Sequence, residues 1–304
     1  IRDAQESRGL GDVYKRQYIL NVNGQLIDLS EPCVMGILNA TPDSFYAGSR
    51  KQTEAEIAAR ADQIMAEGGK IIDVGAFSTR PGAAHVTEEE EMERMRMALK
   101  AVRSVQPDAH VSVDTFRPEV ARMAVEEFGA GIINDVSEGN VNGAFGGSEA
   151  YTAGDEVGEG GCDCPEMFRM VARLGVPYIL MSVKPDIMSM MKAFAHEVQT
   201  LHSLGVKDVI LDPGFGFGKT LEQNYELLAS LGKLREFNLP LLVGVSRKSM
   251  IARLLGTDAD HSLNGTSVVN TIAMINSGAS ILRVHDVKPC VEAVTIVKEV
   301  FKYV

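Results

Sequence analysis

The stretch DVILDPGFGFGK, residues 208–219, is an apolar run that ends in an aspartate, breaks into alternating glycines and leads into a segment of helical character. A short apolar run reads as a strand, and a glycine-rich break before a helix reads as a strand-to-helix turn, so residues 208–219 sit at the middle of a βα unit. Gly214, Gly216 and Gly218 allow positive φ and close approach of the backbone to a ligand. Two nucleotide motifs nearly fit here and both fail by one residue. A phosphate-binding loop needs glycine where Pro213 stands, and the dinucleotide fingerprint needs its third glycine at Lys219. The glycines therefore serve something else, a tight turn being the plain alternative, while Asp212 offers a carboxylate at the strand's end.

Outward from this unit the same rhythm repeats. The runs Cys33–Leu38, Lys70–Val74, His110–Val113, Gly131–Ile133, Pro177–Met181, Asp208–Leu211, Leu239–Val245 and Ser280–Val284 each end in polar or glycine-rich residues and precede a segment of 3.6-residue period. Their near-continuous apolar content marks parallel strands covered on both faces. Eight such units predict an α/β fold, a (β/α)8 TIM barrel, with an open doubly wound sheet as the alternative. Upstream, YILNVNGQLIDL (residues 18–29) alternates around Asn23-Gly24, a type I′ turn signal, so an N-terminal β-hairpin is expected to plug one end of the barrel. Residues 1–17 show neither period and change character at Tyr18. They are expected to be a disordered or foreign extension, leaving 18–304 as the domain. Residues 138–164 are glycine-rich and acidic, predicting a flexible insertion on the active face, filler in the plain reading and a lid in the functional one.

Of 304 residues 45% are hydrophobic and 23% charged, with a formal net charge of -11. That balance disfavours nucleic acid and anionic membrane as partners and requires any anion site to be built locally from basic residues. No apolar run approaches the roughly 20 residues of a membrane helix, and the start of the chain lacks a signal-peptide core. Cys33, Cys162, Cys164 and Cys290 suggest no disulfide framework, so a reduced, cytoplasmic protein is expected. Cys162-x-Cys164 lacks a second ligand pair for a metal.

In a barrel of this kind chemistry collects where strands end. The strand ends deliver Asn39 and the stretch Thr41 to Phe45, then Ser78-Thr79-Arg80-Pro81-Gly82, Asp114, Asn134-Asp135, Asp212, Ser246-Arg247-Lys248, and Arg283 with His285. Arg80, Lys248, Arg283 and His285, with Arg247 able to pair outward instead, gather cations in an acidic protein, as an anion requires. Arg283 and His285, two apart, share one face, and arginine suits forked binding of phosphate oxygens. Salt bridges at the rim are the plain alternative. Asp114, Asn134 and Asp212 can point inward, where carboxylates need partners. A nitrogen-rich heterocycle would satisfy them, and a hard cation is the rival reading. The residues thus point to a ligand with such a ring at one end and phosphate at the other, with transfer at the carbon between.

The stretches VMGILNATPDSF (34–45), IIDVGAFSTRPGA (71–83), VSVDTFRPEVA (111–121), IINDVS (132–137), ILDPGFGFGKT (210–220), LLVGVSRKSMI (241–251) and ILRVHDV (281–287) resemble dihydropteroate synthases, in family order and across nearly all of residues 18–304. The resemblance implies a TIM barrel, a homodimer, and condensation of 6-hydroxymethyl-7,8-dihydropterin diphosphate with p-aminobenzoate, with Mg²⁺, by a dissociative route in folate synthesis. It implies that Asp114, Asn134, Asp212, Lys248 and Met181 hold the pterin. Asn39, Thr79, Arg80, Arg283 and His285 would hold the diphosphate, Asn39 also meeting the metal. Thr79, Arg80, Pro81, Phe217, Ser246 and Lys248 would shape the p-aminobenzoate pocket, where sulfonamides compete. Arg283, His285 and Lys248 would carry the catalysis.

Two departures stand out. Family members continue the fifth barrel strand with a His-Met-x-Gly type segment, where this chain has Ser182 to Pro185, and the loop after the fourth strand is longer than usual. A non-catalytic pterin-binding protein and a pterin-dependent methyltransferase are the alternatives. Neither would need both the ring pocket and the Arg283/His285 arm.

Overall fold

The computed structural model describes residues 18–40, 50–77, 86–139 and 164–303. The expectations for residues 1–17, for Thr41 to Phe45, for Thr79, Arg80 and Pro81 and for residues 140–163 lie outside the described residues. The chain opens with β1 (Ile19–Val22) and β2 (Gln25–Asp28), paired antiparallel from Ile19↔Asp28 to Val22↔Gln25. Asn23 and Gly24 have φ of 52° and 80°, the left-handed pair that a type I′ turn requires.

Eight parallel strands follow: β3 (Cys33–Asn39), β4 (Ile71–Gly75), β5 (His110–Asp114), β6 (Ile132–Asp135), β7 (Tyr178–Met181), β8 (Val209–Asp212), β9 (Leu242–Val243) and β10 (Ile281–Val284). They run in the order β8-β7-β6-β5-β4-β3-β10-β9. A parallel bridge between Leu211 and Leu241 joins the two ends, and the Leu211 N–H donates to the Pro240 carbonyl at 2.9 Å. The sheet is therefore a closed barrel and the open-sheet alternative falls. Strand β9 is shorter than the run Leu239–Val245 predicts; before its start Pro240 has no N–H to give to a ladder. Helices α1 (Arg50–Ala66), α2 (Glu88–Val105), α3 (Pro118–Phe128), α4 (Glu166–Leu174), α5 (Ile187–Ser203), α6 (Leu221–Ser230), α7 (Ser249–Leu255), α8 (Leu263–Ser277) and α9 (Val287–Phe301) surround it, with a 3-10 turn at Leu231–Phe237.

Side chains alternate across a strand, and the alternation builds two cores. Val34, Leu38, Ile72, Val74, Val111, Val113, Leu180, Leu211, Leu282 and Val284 belong to the core shared with the helices. The other row, Cys33, Met35, Ile71, Ile132, Ile179, Ile210, Leu242 and Ile281, clusters with Leu20, Val22, Ile27 and Leu29 of the hairpin. The hairpin thus plugs the end where the strands begin, and the barrel has an apolar floor. Two residues further along the same inward rows stand Asp73, Asn134, Met181, Asp212 and Arg283. A further step brings Asp114, Ser246 and His285 to the opposite mouth. Polar residues at one end of otherwise apolar rows are what positions the site.

Candidate active site

Arg283 is the hub. Its Nε donates to Asp73 Oδ2 at 2.6 Å and its Nη2 to Asp114 Oδ2 at 2.7 Å, while Asn134 Nδ2 reaches Asp73 Oδ2 at 3.2 Å. Asp73 is 0% exposed and Asn134 1%. Burial works against the Arg283 charge, but the attraction of Asp73 and then Asp114 outweighs it and holds the guanidinium above its ordinary pKa. Burial pushes Asp114 up to about 7, opposed by Arg283 and reinforced by repulsion from Asp73. Two buried oxygens, Asp73 Oδ1 and Asn134 Oδ1, have no hydrogen-bond partner. Buried acceptors left unpaired are costly, so such oxygens call for a donor.

Across the barrel, Asp212 is 7% exposed and takes one backbone hydrogen bond, from Gly214 N–H to Oδ1 at 2.8 Å. Burial raises its pKa, with the Lys248 ammonium opposing. Burial in turn brings Lys248 down to about 8, against the pull of Asp212. Lys248 donates to the Phe215 carbonyl, and its Nζ lies 4.6 Å from the centre of the Phe217 ring, a cation–π contact. The glycine loop takes the left-handed backbone that the sequence predicts, with φ of 65° at Gly214 and 80° at Gly216. A Cβ on Gly214 would lie 2.1 Å from the Ser182 carbonyl oxygen. The close approach that excludes a side chain there is to the end of β7. Met181, 0% exposed, packs beneath it.

The third group is at the β9 and β10 ends. Ser246 Oγ lies 3.0 Å from His285 Nδ1 and accepts the His285 backbone N–H at 3.1 Å. A serine oxygen can accept twice and donate once, so the Ser246–His285 bond holds the imidazole in place in either neutral tautomer. The His285 carbonyl accepts from Arg60 Nη2 at 2.5 Å, which ties this corner to α1. Asn39 is exposed at the end of β3, and its Oδ1 lies 3.6 Å from where a Cβ on Gly75 would stand. Arg247, by contrast, forms a fork with Asp286 at 2.8 Å on both nitrogens and also holds the Ala259 and Asp260 carbonyls. It is the rim salt bridge that the sequence allowed for.

Of the described candidates, Asp114, Asn134, Asp212, Met181, Phe217, Ser246, Lys248, Arg283, His285 and Asn39 all lie at strand ends or in the loops that follow them at one mouth. The pattern of the Pterin binding enzyme family matches residues 35–285. The dihydropteroate synthase of Escherichia coli (strain K12) is 38% identical over 294 residues, covering 92% of this chain and 95% of that protein. The chain belongs to the dihydropteroate synthase family. Solved structures agree. The dihydropteroate synthase of Xanthomonas albilineans with 4-aminobenzoic acid superposes at a TM-score of 0.80 and 33% identity, over 95% of this chain and 99% of that one. The Yersinia pestis enzyme with a pterine-sulfa conjugate gives 0.75 and 33%, over 94% and 99%.

The contacts of several residues in this dihydropteroate synthase homologue are not legible in the sequence. Asp73 was hidden inside the apolar run IIDVG, although a charge in mid-strand of a sheet covered on both faces was itself a signal. Asp135 stands beside Asn134 but on the opposite face, where its carboxylate accepts from Tyr178 Oη at 2.6 Å, Ser137 N at 2.8 Å and Gly139 N at 2.9 Å. Lys219, which spoiled the dinucleotide motif, points back into its own loop. Glu138 opens the 138–164 segment yet is anchored, accepting from Ser182 Oγ and Val183 N, each at 2.9 Å. Its spacing carried no signal of that contact, since the partners are more than forty residues away.

Proposed function

We propose that this chain condenses 6-hydroxymethyl-7,8-dihydropterin diphosphate with p-aminobenzoate, giving 7,8-dihydropteroate and pyrophosphate in folate biosynthesis. The observation that carries the reading is a ring pocket of buried acceptors bound through one arginine to the mouth where His285 and Asn39 sit. Asp114 and Asp212 stand at the ends of β5 and β8, and the unpaired Asn134 Oδ1 at the end of β6 adds a third acceptor. An amidine-like ring edge donates parallel N–H groups to such oxygens. Phe217 and Lys248 form the wall beside it, which suits the flat aminobenzoate and its carboxylate. The relatives that bind 4-aminobenzoic acid and a pterine-sulfa conjugate support both halves.

The reacting bond joins the exocyclic methylene carbon of the pterin to the bridging oxygen of the diphosphate. As it breaks, the electron pair leaves with the diphosphate and the carbon's positive charge spreads into the ring. Arg283, through its guanidinium, and His285, through its imidazole, stabilise the charge that develops on the leaving oxygens. The ring pocket, with Asp114 and Asp212 ionised, stabilises the cation. The aminobenzoate nitrogen then forms the new C–N bond and passes its surplus proton to water, so no general base is needed. Asn39 Oδ1 is a single hard oxygen open to the mouth, and no group of three His, Cys, Asp or Glu among the described residues could hold a metal. That donor set fits Mg²⁺ completed by substrate phosphates and water. Bound there, Mg²⁺ would neutralise part of the leaving-group charge.

A homodimer and a cytoplasmic location complete the proposal. Among the described residues no helix is long and apolar enough to cross a membrane. The test separates the two arms by calorimetry and initial rates. Asp212→Asn is expected to weaken pterin binding at least tenfold, the worth of one charge-assisted hydrogen bond, about 1.5–3 kcal/mol. His285→Ala is expected to lose turnover while pterin affinity stays within about threefold, the pattern of a contact made in the transition state. Equal loss of binding and turnover in both variants would overturn the assignment.

A further inference from the structure

The end of β7 carries contacts that the proposed chemistry does not use. Lys219 Nζ donates to three carbonyls, Gly214 at 2.9 Å, Phe217 at 3.2 Å and Ser182 at 3.3 Å. An ammonium has three donors, so this one is spent on the protein and has none left for a ligand. Two of its acceptors belong to the loop bearing Phe217 and the third to the turn after β7. Glu138 grips the same turn from the other side, its Oε1 accepting from Ser182 Oγ and Val183 N and its Oε2 from Lys184 Nζ at 3.2 Å. Glu138 has φ of 56°, a left-handed backbone state that is strained for a residue with a side chain. The Asp135 carboxylate, by taking Ser137 and Gly139 on either side of Glu138, holds it there. Lys219 and Glu138 also attract each other across Ser182.

We infer that Lys219 and Glu138 are positioning residues, a two-sided clamp on Ser182 to Lys184 that fixes the loop from Gly214 to Phe217 and so sets affinity for the aromatic amine. The clamp sits where the chain departs from the family pattern at Ser182 to Pro185. Ser182 offers its carbonyl to one jaw and its hydroxyl to the other, and Gly214 packs against that same carbonyl. Releasing the Phe217 carbonyl frees the ring that stands 4.6 Å from Lys248 Nζ. The effect on the amine rests on the proposed function, whereas the clamp itself can be read without it.

The variants are Lys219→Met, Lys219→Arg and Glu138→Gln, each compared with wild type in steady-state kinetics, thermal unfolding and amide hydrogen exchange. Lys219→Met is expected to raise KM for p-aminobenzoate about tenfold or more while kcat and the KM for the pterin diphosphate stay within about threefold, the mark of lost ground-state binding. Exchange at Phe217 is expected to accelerate in that variant, and exchange at Val183 in Glu138→Gln. Lys219→Arg keeps the charge and donors and is expected to recover most of the KM. A Lys219→Met protein that melts earlier with both KM values and both exchange rates unchanged would overturn the clamp, as would an arginine variant no better than methionine. If the wild type turns nothing over, the proposed function fails, and the exchange rates alone decide the clamp.

Discussion

Replacing Arg283 with methionine removes the one cation that two acidic side chains share. Asp73 is 0% exposed at its side chain, and both Arg283 and Asp114 are 19% exposed. Breaking a buried pair by deleting one partner costs about 3–5 kcal/mol, because the other charge is stranded. At roughly 2–4 °C of Tm per kcal/mol for a domain of this size, the fall is on the order of 6–20 °C. Asp114 also loses the attraction that holds it down to about 7, so its pKa climbs further and the ring pocket stays protonated at neutral pH. The companion variant Arg283→Met/Asp73→Asn removes Arg283 together with its fully buried partner and leaves an amide where that carboxylate was, while Asp114, whose pKa already lies at about 7, can take up a proton. The double variant is expected to regain most of the stability and none of the turnover. Thermal unfolding of the wild type, both single variants and the double variant closes a thermodynamic cycle. A single variant destabilised by less than about 1 kcal/mol, or a double variant no more stable than Arg283→Met, would refute the view that the pair is buried and mutually dependent.

Further outcomes can be checked independently. The pH profile of kcat/KM should be a bell: Asp114 must be ionised, which is lost as pH falls through about 7, and Lys248 must be protonated, which is lost as pH rises through about 8; a flat profile from pH 6 to 9 would contradict both assignments. Gly214→Ala places a methyl group 2.1 Å from the Ser182 carbonyl oxygen at a φ of 65°, and urea unfolding should show a loss of at least about 1–3 kcal/mol. Leu20→Ala empties a side chain 2% exposed in the floor of the barrel, at an expected cost of about 2–5 kcal/mol. Its kcat should not change, since the hairpin plugs the mouth opposite the site, and a large fall in kcat would show that the floor is not separate from the chemistry.

Much of this was legible because local rules and the fold agree. Asn23-Gly24 needed only its own φ preference, and each barrel strand announced itself by an apolar run and a polar end. What could not be read was pairing across the barrel. Arg283 and Asp73 lie 210 residues apart, and their bond exists only once the sheet closes. The sequence pointed to Arg283 as a phosphate ligand from its type and place; the structure adds that the same side chain holds the ring pocket together. Lys219 is a similar case. Its position in DPGFGFGK reads as a failed nucleotide motif, yet its chemistry is internal, and only the fold of Ser182 beside Gly214 makes that visible. The seven-residue run Leu239–Val245 overstated its strand, and Pro240 bears on its first end alone.

The most direct test of the central claim is a stoichiometric assay of the wild-type protein with 6-hydroxymethyl-7,8-dihydropterin diphosphate, p-aminobenzoate and Mg²⁺. Pyrophosphate and 7,8-dihydropteroate are expected to form in equal amounts. A folded sample that binds the pterin diphosphate yet releases no pyrophosphate would contradict the synthase reading and leave a pterin-binding protein in its place.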